Sequence, residues 1–181
     1  MRRRRGLGTL AWLAAAIGAG CASQKAVPPT SVPSALQVPG AQVLSRTLHG
    51  SGVQIYECRA SAQNAAQFVW TLQAPSADLA DLSGKDVGRH YEGPTWEAND
   101  GSKVVGELVA RDPGPVPSAI PWLLLRAKSA AGKGVFAKVQ YIQRLNTVGG
   151  LAPATGCDSA HATQRVRVAY SAYYYFYVAR R

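Results

Sequence analysis

Three cysteines, three histidines and one methionine are all that this chain of 181 residues offers to thiol or soft-metal chemistry. No Cys-x-x-Cys pair occurs, so a redox-active dithiol and a zinc-ribbon spacing are both missing. No Gly-x-Gly-x-x-Gly joins a strand to a helix and no βαβ alternation is present, which removes a dinucleotide-binding unit. Ser45, Ser102 and Ser171 lack the nucleophile-elbow context of a serine hydrolase. Acidic residues are scarce, with 10 Asp and Glu against 20 Lys and Arg. Four of those cations are Arg2 to Arg5, and the rest are scattered apart from Arg165/Arg167 and Arg180/Arg181. Without a basic stripe interleaved with aromatics, nucleic acid is not the expected partner; the mild positive excess suits an anionic envelope surface. No internal repeat and no long amphipathic helix can be traced.

What is present begins with a leader. "MRRRRGLGTLAWLAAAIGAGC" runs from a basic start through an apolar stretch, Leu7 to Ile17, to the small residues Gly18, Ala19 and Gly20. That is the layout of a secretory signal over residues 1–20, and the apolar stretch falls short of the ~20 residues that span a bilayer. The cysteine directly after it resembles a bacterial lipobox, in which the bond before Cys21 is cut and the thiol carries a diacylglycerol. Gly20 and Ala19 fit that motif, whereas Gly18 stands where a leucine is usual. The competing reading is ordinary cleavage after Ala22. With no Asp after the cysteine, a lipidated chain is expected at the outer membrane or in the periplasm, and otherwise secreted.

Export in turn governs the remaining thiols. In an oxidising compartment Cys58 and Cys157 are expected to form a disulfide, and lipidation of Cys21 would leave them as an even pair.

Residues 21–34, containing "SQKAVPPTSVP", read as a Pro/Ser-rich tether, and residues 35–181 as a single domain. Within it the period is two. "QFVWTLQ" sets Phe68, Trp70 and Leu72 against Gln67, Thr71 and Gln73, and "GVQIYEC" sets Val53 and Ile55 against Gln54, Tyr56 and Cys58. "GVFAKVQYIQRL" groups Val135, Ala137, Val139 and Tyr141 opposite Lys138, Gln140 and Arg144. "PWLLLRAK" is a short continuous apolar run that suits a strand buried on both faces, and "RVRVAYSAYYYFYV" alternates Tyr173, Tyr175 and Tyr177 with Tyr174 and Phe176. Asp100-Gly101 is the sharpest hairpin signal, the prolines from Pro113 to Pro121 mark one connection, and His49, ahead of Gly50-Ser51-Gly52, is read on a turn. The stretch near His161 is allowed one helical turn at most. The expected fold is all-β: a single antiparallel sandwich or barrel.

Five blocks in order, "GVQIYEC", "GPTWEANDGSKVVGE", "IPWLLLRAKS", "GVFAKVQYIQRLNTVGGLAPATGCD" and "YYYFY", resemble the family known as domain of unknown function 3455, from about Val32 to Tyr177. The resemblance implies an exported bacterial or fungal protein and brings no catalytic residues. Both Cys58 and Cys157 fall within its blocks.

Two places invite chemistry. In "RHYEGPTWEANDGS", His90 and Glu92 are two apart and would share a strand face as base and orienting acid, while Glu92 and Glu97 would be a carboxylate pair if a cleft held them. In "RLNTVGG", Asn146 and Thr147 suit a turn and the glycine pair permits close backbone approach. His90, Glu92, Trp96, Glu97, Arg144 and Asn146 therefore form the candidate ligand surface. Asp158 and His161 beside Cys157 are too few to hold a metal once that cysteine is bridged, so no metal and no cofactor is expected. The reading is a non-catalytic envelope module that binds a glycan, lipid or small ligand or acts structurally, tethered by lipid. The alternative is a small envelope hydrolase or metal-dependent enzyme centred on His90, Glu92 and Glu97.

Overall fold

Eight antiparallel strands, each hydrogen-bonded to the next and the last to the first, make up the computed structural model, which describes residues 26–180. The strands are β1 (Gln42–Ala60), β2 (Phe68–Ala80), β3 (Asp86–Tyr91), β4 (Thr95–Ala98), β5 (Lys103–Asp112), β6 (Trp122–Ala131), β7 (Val139–Gly149) and β8 (Arg165–Ala179). Of the two all-β arrangements open to the sequence, the sheet takes the closed barrel. Closure satisfies the backbone groups that an open sheet would leave along its edges. Two single 3₁₀ turns complete the secondary structure, at Ser34–Leu36 and at Ser159–His161, the latter matching the one turn allowed there. No helix among the described residues is long and apolar enough to cross a membrane.

The interior of an eight-stranded barrel is just wide enough for side chains to fill, and this one matches large residues to small ones. Tyr174, Phe176, Trp96 and Leu48 are fully buried inside. Small residues stand beside them: Gly50 faces Ala172 across β1 and β8, and a Cβ on Gly106 would come within 3.0 Å of the Trp96 ring. A Cβ on Gly50 would come within 2.6 Å of the Tyr174 ring. Here the expected turn at His49 is corrected: residues 49–52 lie in the middle of the 19-residue β1, where Gly50 makes room for buried Tyr174 and Gly52 lies close against Ser76 and Ala77 of β2, rather than bending the chain. A second difference concerns "GVFAKVQYIQRL". Residues 134–138 belong to the β6–β7 connection, where Phe136 plugs the lower end of the barrel against Phe176, and β7 begins only at Val139.

Both faces of β6 are buried, as its unbroken apolar run requires. Leu125 faces inward, while Trp122 and Leu124 face outward into a second apolar cluster with Leu145, Tyr175 and Leu36. The chain preceding β1 covers that outer cluster. Leu36 is wholly buried, its carbonyl accepts from Gln143 Nε2 at 2.7 Å, and Thr47 Oγ1 donates to the Val27 carbonyl at 2.7 Å. The latter half of the Pro/Ser-rich stretch thus lies as a strap along the barrel wall. Asp100 and Gly101 form the β4–β5 hairpin, with Gly101 at φ 80°.

Candidate functional site

The upper end of the barrel carries the β1–β2, β3–β4, β5–β6 and β7–β8 connections. Directly opposite each other on β3 and β4, His90 and Trp96 both point inward and stack, with ring centroids 4.3 Å apart and planes 11° from parallel. Tyr174 meets both rings edge-on, at 5.2 and 5.5 Å. His90 is 3% exposed, and its Nδ1 lies 2.8 Å from the Thr95 carbonyl. A carbonyl only accepts, so Nδ1 carries the proton and Nε2 is the acceptor. Burial pushes the imidazole down to about 3, against the pull of the Thr95 bond and with help from the charge of Arg144.

Arg144 enters from β7 opposite Tyr174, and its Nε and Nη2 both donate to the Pro121 carbonyl, at 3.2 and 2.8 Å. The guanidinium therefore fastens the end of the β5–β6 connection across the barrel mouth. Thr147 Oγ1 donates to the Ile120 carbonyl at 2.6 Å, and the Ile120 amide to the Gly149 carbonyl at 2.9 Å. Around Arg144 stand three phenols: Tyr56, whose hydroxyl donates to the Gly150 carbonyl at 2.6 Å, and Tyr170 and Tyr174, whose hydroxyls are 3.1 Å apart. Burial raises the pKa of all three, that of Tyr174 well above its ordinary value, so they stay neutral. Burial also lowers the pKa of Arg144, and the nearby Tyr174, Tyr170 and Tyr56 oppose that. Gly150, at φ 84°, lets the backbone lie against Tyr170 and Gln54; a Cβ there would meet Tyr170 Cβ at 2.8 Å. Gln54 is 1% exposed, and neither its Nε2 nor the Trp96 Nε1 has a hydrogen-bond partner.

The structure thus gathers three of the candidate residues, His90, Trp96 and Arg144, inside the mouth of the barrel. The other three lie elsewhere. Glu97 follows Trp96 and so takes the outer face of β4, where it accepts from the Tyr91 hydroxyl at 2.6 Å and Arg89 Nη2 at 3.2 Å, with Lys103 Nζ at 3.9 Å. Those partners, the Tyr91 hydroxyl foremost, hold its carboxyl below the usual range. It borders an outer groove of about 380 Å³ lined also by Asp78, Asp86 and Asn99. Glu92 falls past the end of β3 in an exposed turn, so its spacing from His90 does not place it on the inward face. Asn146 is exposed at the β7 bulge with φ 52°, a conformation that Asn tolerates better than most residues. His90, Glu92 and Glu97 do not converge.

Gln54, Tyr56, Tyr170 and Tyr174 do not belong to the candidate ligand surface that the sequence suggests. A signal was available in the alternation that put Gln54 with Tyr56, but polar side chains on a strand read by default as the wet face. By the same alternation Arg144 falls opposite the apolar side of its strand.

Cys58 on β1 and Cys157 in the β7–β8 connection form a disulfide, with Cα atoms 5.4 Å apart and a sequence separation of 99. The Asp158 carboxylate accepts from the Ala160 and His161 amides, capping the short 3₁₀ turn, and lies 2.6 Å from His161 Nδ1. Among the described residues, no group of three or more His, Cys, Asp or Glu is placed to hold a metal ion. Cys21 and residues 1–20 lie outside the described residues.

The family described as "Protein of unknown function (DUF3455)" matches the chain over residues 39–178, which takes in every strand of the barrel. No curated protein and no solved structure matches it.

Proposed function

The chain belongs to the DUF3455 family, and from that premise we propose that it is an exported, non-catalytic β module of the cell envelope, held at the membrane by lipid on Cys21. The observation that carries this reading is the Cys58–Cys157 bridge. Disulfides persist in oxidising compartments such as the periplasm and the extracellular space. The bridge accounts for two of the three cysteines, and the third, Cys21, stands at the end of a signal-like leader. The separation of His90 from Glu92 and Glu97 favours a binding or structural role over the hydrolase alternative, because an acid and a base must reach the same reacting atoms. Envelope glycans, lipids and small ligands are the partner classes in question.

Mass spectrometry of the native N-terminus tests the anchor. The expected species begins at Cys21 and carries a diacylglyceryl mass. An unmodified chain beginning at Ser23, after cleavage behind Ala22, would overturn lipid tethering. Cys21→Ala should in parallel move the protein from the membrane pellet to the soluble fraction.

A further inference from the structure

A buried cation is ordinarily paired with an anion, because an isolated charge out of water is costly. Arg144, half-buried at the barrel mouth, has no such partner. None of the ion pairs among the described residues includes it. Glu57 is held by Arg59 and Arg165, Glu97 by Arg89 and Lys103, Glu107 by Arg126, and Asp100 bonds the Ser102 and Val135 amides. What surrounds Arg144 instead is neutral: one carbonyl, three phenols and a histidine that stays uncharged. Gly150, whose carbonyl accepts from Tyr56, also lies against Gln54, whose buried amide leaves its Nε2 unpartnered. A positive guanidinium, an unsatisfied amide donor and aromatic walls are the components of a site for a planar anion.

We propose that the upper mouth of the barrel binds a small organic carboxylate, its oxygens taken by Arg144 and Gln54 Nε2 and its apolar body by Tyr56 and Tyr170. The guanidinium fork matches a carboxylate bidentately, and the surrounding rings suit an apolar body that inorganic phosphate lacks. Arg144 keeps partial solvent exposure while Gln54 and the tyrosines are buried, so the charged end of the site is the one a ligand meets first. The Pro121 carbonyl, now the acceptor for two Arg144 donors, ties the overlying connection to the same guanidinium, and a bound carboxylate would compete for those donors. This assignment rests on the binding-module reading and gives it a ligand class.

Thermal melting of the purified protein with benzoate, and with its neutral isostere benzamide, tests it. Benzoate should raise the melting temperature on the order of 5 °C at about 100-fold saturation, and benzamide should leave it unchanged. Arg144→Met should abolish the benzoate shift, and Gln54→Leu should weaken benzoate affinity about tenfold. No shift with either benzoate or acetate would overturn the proposal and leave Arg144 as a strut for the overlying connection. So would equal shifts from benzoate and benzamide, a shift from phosphate as large as that from benzoate, or a benzoate shift that survives in Arg144→Met. If Arg144→Met does not fold, wild-type affinity in Gln54→Leu overturns the proposal by itself. The N-terminal mass spectrum is independent of all these outcomes, so a failed ligand and a failed lipid anchor are told apart.

Discussion

At the scale of single residues, His90 is the most consequential titrating group. Its ring is sealed between Trp96 and Tyr174, and burial pushes it down to about 3 from 6.5. Below 6.5 the unfolded chain binds a proton that the folded chain refuses until about 3. Stability from this group is therefore full above 6.5 and falls as the pH drops through that window, by a total on the order of 5 kcal/mol. The groups facing it, Arg144 and Tyr174, do not change charge in this range, because the arginine stays protonated and the buried phenol neutral. Urea midpoints measured from pH 7 to pH 4 should fall more steeply for the wild type than for His90→Phe, which keeps a ring against Trp96 but cannot take a proton. Parallel profiles would show that His90 does not sense pH.

At the scale of elements, the strap formed by the chain before β1 does the work of a third layer on one side of the barrel. Leu36 fills the space between Trp122, Leu124, Leu145 and Tyr175. Leu36→Ala should weaken this docking by about 3 kcal/mol, the range for a buried leucine, while the barrel retains its own pairing. Hydrogen exchange reads that directly: the Leu36 and Gln37 amides, bonded to the Pro33 and Ser34 carbonyls, should exchange on the order of 100-fold faster. An equal rise throughout β7 and β8 would show that strap and barrel unfold together. Elements are also where the sequence is most readable. The run at 122–125 does form a strand buried on both faces, the tyrosines of β8 do alternate between core and strap, and Asp100-Gly101 does turn a hairpin. Faces were less readable than periods. Gln54, Tyr56 and Arg144 point into the barrel, and no local pattern distinguishes an inward polar residue from an outward one. Residues 49–52 misled for a related reason, since a glycine that makes room for Tyr174 looks the same in sequence as a glycine in a turn.

For the whole molecule, the disulfide sets how much freedom the unfolded chain retains. A bridge across a sequence separation of 99 is worth roughly 4–5 kcal/mol in the chain-entropy account, near the upper end for a single disulfide. Reduction, or Cys58→Ser together with Cys157→Ser, should lower the melting temperature by roughly 10–20 °C for a domain of this size. Equal melting with and without reductant would mean that strain in the native bridge cancels the entropic gain.

Because β1 must hydrogen-bond to β8, the barrel has a last step that no earlier stretch of chain can take. Until Arg165–Ala179 arrives, β1 and β7 each keep one unpaired side, and the residues that fill the mouth from β8, Tyr170 and Tyr174, are missing. Such distant pairing is slow, since loop-closure entropy must be met before the contacts form. A nascent chain therefore stays open until β8 is delivered. The seam between β1 and β8 makes delivery of β8 a condition for having an interior at all.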